Sequence, residues 1–217
     1  MKLLRLAIVI TFAALAADTV AANDGARRVP ITNAELIDSP MARERLKYLA
    51  ACALEEGTEL YGIFEEQTYV FPGEMGLAPA WADRALNFSE ERWVSACLLA
   101  RTNAFGQPVR ISMRAEGPFS SLSVSAQEKE NFPVHEAGFF GNLFSNPPRA
   151  FVCLKPSANK RRAVQEAHHR VCAHVHEPGS TMTRCGFEVI GFCPESGAIK
   201  ADGGTWPEII HVYLPSL

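Results

Sequence analysis

The sequence predicts an α+β domain: a buried central helix packed on a small, mainly antiparallel sheet, stapled by disulfides. Three observations carry that expectation. Two segments with capping residues at their start read as helices, and one of them is apolar on nearly every side. Several short stretches alternate apolar and polar residues, and they group together instead of interleaving regularly with helices. Six cysteines, at 52, 97, 153, 172, 185 and 193, follow a leader with the pattern of an export signal.

The leader spans 1–22. Lys2 and Arg5 precede an apolar run from Leu6 to Ala17, and Val20-Ala21-Ala22 offers the small residues of a cleavage site. The apolar run stops at Asp18, short of the about 20 residues a membrane helix needs, and no later stretch is long enough. The expected product is an exported soluble protein, periplasmic or extracellular, with no membrane span in the mature chain. Cleavage removes two of 21 basic residues and one of 24 acidic ones, leaving 19 and 23, a net charge of −4. Binding to nucleic acid is not expected, because no basic footprint exists to displace counterions from phosphates. The remaining 195 residues suffice for one domain with its own core. That domain is expected over 39–217, after a loose polar segment at 23–38.

Ser39-Pro40 opens the first helix, with serine as the cap and proline at the position whose N–H has no partner anyway. From Met41 to Leu54, Leu46, Leu49, Ala50 and Ala53 share one face, and Gly57 ends the run. Thr58–Phe64 and Thr68–Phe71 read as a hairpin turning at Glu65-Glu66-Gln67. Residues 72–79 are rich in turn formers. Ser89 is the expected cap of the second helix, with Glu90 and Glu91 where the dipole favours negative charge. From Trp93 to Ala100 only Ser95 is polar, which marks a helix buried all round. It turns polar at Arg101, Thr102 and Asn103, and Gly106-Gln107-Pro108 ends it. Val109–Ala115 and Ser121–Ser125 alternate as strands, Ala150–Leu154 reads as an inner strand, Ser157–Ala173 as a basic surface helix, and Glu208–Leu214 as a closing strand.

Candidate chemistry follows from four groups. All six cysteines are expected to be oxidised: Cys52 with Cys97 would tie two helices, Cys185 with Cys193 would close a hairpin, and Cys153 and Cys172 remain. His169, His174 and His176, beside His168, could hold zinc with an open fourth position. Their spacing matches no zinc signature, and Lys160, Arg161, Arg162 and Arg170 oppose a cation there. His135-Glu136 could act as an acid/base pair in a loop where Gly138 and Gly141 admit a ligand, with Arg101 and Asn103 as anion-holding donors. Trp81 and Trp206 fall in turn-rich segments, where an exposed aromatic could meet a partner.

No nucleophile elbow, phosphate loop or dinucleotide fingerprint is present. The leading expectation is a non-enzymatic binding module whose partner is a protein, a surface or a small ligand, without a cofactor unless the histidines take zinc. The alternative is an extracytoplasmic hydrolase, centred on His135 and Glu136 or on a metal at the 168–176 histidines.

Overall fold

A computed structural model describes residues 26–102, 109–155 and 186–216. These residues form an α+β fold whose contacts divide into two compact units, one ending at Glu90 and one beginning at Glu91. The leader at 1–22 lies outside the described residues, as do the segment expected to form a basic helix at 157–173, Cys172 and Cys185. None of the described helices is long and apolar enough to cross a membrane.

In the first unit, β1 (Arg27–Pro30), β2 (Thr58–Phe64) and β3 (Gln67–Pro72) form a sheet in that order. β1 runs parallel to β2, and β2 antiparallel to β3. The stretch expected to be loose at 23–38 therefore contains a strand. Only Val29 in it is buried, and an edge strand with one inward side chain shows no alternation for sequence reading to find. α1 (Pro40–Ala53) starts as expected, with Ser39 Oγ accepting from the Ala42 amide at 3.2 Å. Its buried face carries Leu46, Leu49 and Ala50, and the helix packs on β3. The hairpin turns on Glu65 and Glu66, both at positive φ (50° and 64°), as a two-residue type I′ connection requires. Trp81 is buried, not presented to a partner: it sits in a 3₁₀ turn, Pro79–Ala82, at 3% exposure.

α2 (Phe88–Ala100) crosses the junction between the units. Its cap is Asn87, not Ser89. Asn87 Oδ1 accepts from the Glu90 amide at 3.0 Å, and Glu90 Oε2 accepts from the Asn87 amide at 2.8 Å. This reciprocal capping box satisfies two amides where Ser89 would satisfy one. From Arg92 to Ala100 every residue but Leu98 is buried, so the helix is enclosed as its composition requires.

The larger sheet orders as β4 (Ser112–Arg114), β10 (Ile210–Leu214), β5 (Val134–Asn142), β6 (Arg149–Leu154) and β7 (Glu188–Phe192). All its pairings are antiparallel except β6 with β7. A small hairpin, β8 (Ile199–Ala201) and β9 (Gly204–Trp206), follows β7. Three local expectations change here. The alternation at 121–125 resolves into a 3₁₀ turn over Ser120–Leu122 and the cap of α3 (Ala126–Asn131), where Ser125 Oγ accepts from the Glu128 amide. Only 112–114 of the strand expected at 109–115 is paired. The glycine- and phenylalanine-rich segment after His135 is not a ligand loop but β5, buried along most of its length.

Trp206 is also buried, at 8% exposure, in a cluster with Phe140, Phe151, Cys153, Cys193 and Ile209. Within it Cys153 is bonded to Cys193, across 40 residues. This overturns the pairings expected for both. Parallel pairing of β7 beside β6 brings residue 193 to Cys153, a register that spacing within 185–193 cannot reveal. Cys52 and Cys97 are each disulfide-bonded as well.

Candidate functional site

The site is made by one irregularity in the β5–β10 ladder. Ile210 faces Phe139, His211 faces Gly138 and Val212 faces Ala137. A regular ladder would next oppose Tyr213 to Glu136. Tyr213 instead faces His135, and Glu136 is the extra residue of a β-bulge. Residues 211 and 213 share a face, since side chains alternate along a strand. Slipping the register by one therefore turns His135 onto that same face.

Three aromatic side chains meet there. His135 Nε2 lies 3.1 Å from His211 Nδ1, and the His135 ring stacks on Tyr213 at 4.7 Å between centroids. Arg114, opposite His211 across β4, lays its guanidinium 3.7 Å from the Tyr213 ring centre. Its nitrogens donate to Ser112 Oγ and to the Phe132 carbonyl. The Cys153–Cys193 disulfide borders the pair: ligand-capable atoms of His135, His211 and Cys193 all lie within 4.8 Å of one another.

Both imidazoles are held neutral. Burial, the neighbouring His211 ring and the charges of Lys155 and Arg114 bring His135 down to about 4, while a hydrogen bond to the Ala137 backbone works the other way. Burial also lowers His211, with the Glu116 carboxylate opposing it. Two neutral rings share one hydrogen bond, so one of the facing nitrogens donates and the other accepts.

The geometry also suits adjacent ligands on one ion. Metal–nitrogen bonds of 2.0–2.1 Å at right to tetrahedral angles place two nitrogens about 2.8–3.4 Å apart. The observed 3.1 Å lies in that interval. Cys193 presents a disulfide sulfur in this state, which is not the thiolate that binds metals well.

Of the residues singled out by sequence, His135 is in the cluster. Glu136, adjacent to it, is buried at 4% exposure as the extra residue of the bulge. Arg101 follows the end of α2, half-buried, with its amide donating to Cys97 O. Asn103 and the histidines at 168, 169, 174 and 176 lie outside the described residues. His211 was not anticipated. Its only sequence signal is that it alternates with Tyr213 in the closing strand, and its partner is 76 residues away.

No family model matches the chain, and no curated protein or solved structure matches it either.

Proposed function

We propose that the mature chain is an exported, non-enzymatic binding module that holds a divalent transition-metal ion, of the zinc or copper class, through His135 and His211. The observation that carries this reading is the pair of facing ring nitrogens, 3.1 Å apart. Imidazole nitrogen is the ligand type that suits zinc and copper. Hydrogen bonding at the Ala137 backbone fixes the His135 ring in the way outer partners orient metal-ligating histidines. Glu116 supplies negative charge toward His211; Lys155 and Arg114 oppose a cation, and Arg114 is engaged with Tyr213, Ser112 and Phe132. His135 has an imidazole and not a carboxylate against its Nε2, which favours a ligand role over an acid/base pair. Two protein ligands leave the remaining positions to water or to a small donor molecule.

The test is calorimetric titration of chelator-stripped protein, disulfides intact, with zinc and with copper(II). One ion per chain is expected. His135→Ala and His211→Ala should each abolish binding, while replacing His168, His169, His174 and His176 together by alanine should leave it intact. The reverse pattern would overturn this reading and move the site to the 168–176 histidines.

A further inference from the structure

Resting on that reading, we infer that the same cluster has a second ligand state, in which reduction of the Cys153–Cys193 disulfide adds thiolate to the two imidazoles. The site then takes zinc(II) or copper(I) more tightly than the oxidised protein takes any ion.

The register places the parts. Gly138 is paired on one side with Cys153 and on the other with His211. A glycine therefore separates sulfur from imidazole in a single row across three strands. A Cβ at 138 would lie 2.7 Å from Cys153 Sγ and 2.9 Å from Cys193 Sγ, so both sulfurs occupy the space a side chain would fill. The same space is bordered by Ile209, whose Cγ2 would lie 3.0 Å from that Cβ, so a glycine is what lets the sulfurs approach the histidine row. Cys193 Sγ is already within 4.8 Å of both ring nitrogens. A tetrahedral zinc with one thiolate and one imidazole needs a sulfur–nitrogen separation of about 3.6 Å. Cutting the bond that tethers Cys193 to Cys153 frees the sulfur for that approach.

A reductant has a route. Cys193 follows β7, the outermost strand of the sheet among the described residues, and Phe192 beside it is 49% exposed. The β6–β7 pairing is already interrupted at Cys153, where the ladder shifts register between Val152 and Leu154. Local opening of this edge uncovers the sulfurs without dismantling the centre of the sheet.

The chemistry balances with an exported dithiol as reductant. Its two thiols give two electrons and two protons to the Cys153–Cys193 bond and leave as its own disulfide, yielding two cysteine thiols. Metal binding then releases the Cys193 thiol proton to solvent, and the Cys153 thiol can become a fourth donor by releasing its own proton to solvent. The occupied site resists reoxidation because its sulfur lone pairs are engaged with the metal.

The experiment compares oxidised protein with protein reduced by a phosphine, which is oxidised to the phosphine oxide and does not compete for metal as a dithiol would. Cobalt(II) serves as the optical probe, and zinc displaces it. Reduction should raise zinc affinity by about a hundredfold or more, and cobalt should acquire a thiolate charge-transfer absorption. His211→Ala and Cys193→Ser should each remove both changes, whereas Cys153→Ser, with Cys193 permanently free, should show them without reductant. If oxidised protein binds zinc and reduction changes neither affinity nor spectrum, this inference fails and the two-histidine reading stands. If neither state binds, both fall. A reduced-state gain that survives His211→Ala would assign the thiols to a different site and overturn the inference.

Discussion

Two ends of one sheet face use similar parts differently. At one end Arg92 lies 4.0 Å over the Trp206 ring, and at the other Arg114 lies 3.7 Å over Tyr213. Arg92 is closed off. Its Nε meets Glu208 Oε2 at 3.0 Å, another nitrogen donates to the Thr205 carbonyl, and both charged side chains are at most 10% exposed. Phe140 and Phe151 pack beside the same tryptophan. Arg114 is also fully engaged, but its neighbours include two neutral imidazoles whose facing nitrogens meet each other. The lesson is that a buried cation paired with a carboxylate is a finished structural unit. A neutral histidine pair made by a bulge is held by one shared hydrogen bond, which a bound ion would have to replace.

Breaking the closed unit should cost most. Glu208→Ala leaves the Arg92 guanidinium buried without its carboxylate, and a loss of about 3–5 kcal/mol in urea unfolding is expected. A loss below about 1 kcal/mol would erase the contrast between the two ends.

At the other end the expectation is a large functional effect with a small structural one. His211→Gln removes one neutral hydrogen bond, worth about 0.5–1.5 kcal/mol, in metal-free protein. Zinc should nonetheless raise the melting temperature of the unaltered protein and not of the variant. Equal zinc stabilisation of both would place the ion elsewhere.

A third effect sharpens the comparison by pH. His135 titrates near 4 in the fold, against about 6.5 for a free histidine. Between those values the unfolded chain binds more protons, so stability rises with pH through this window and is complete above it. Metal-free protein should show a lower urea midpoint at pH 5 than at pH 7.5, and His135→Phe should flatten that difference. An unchanged slope would mean that His135 is not held neutral.

How much of this could be read from sequence depended on whether the signal was local. The α+β class, α1 with its Ser39-Pro40 start and the 58–72 hairpin were legible because caps, periodicity and turns act within a few residues. The enclosed α2 was legible because its apolar run leaves no solvated stripe. β5 was not, because its residues from Glu136 onward are buried on both faces, which removes the alternation that marks a strand. His135 was found, but the bulge that turns it and the His211 it meets are properties of register between distant segments. The same holds for Cys153 with Cys193, whose contact follows from parallel pairing of β6 and β7.

The most direct test is anomalous diffraction at the zinc edge from crystals of the oxidised protein grown with zinc. The account predicts an anomalous peak between His135 Nε2 and His211 Nδ1, about 2.0–2.1 Å from each. A map with no peak there, the two rings still bonded to each other while zinc sits on other histidines, would contradict it.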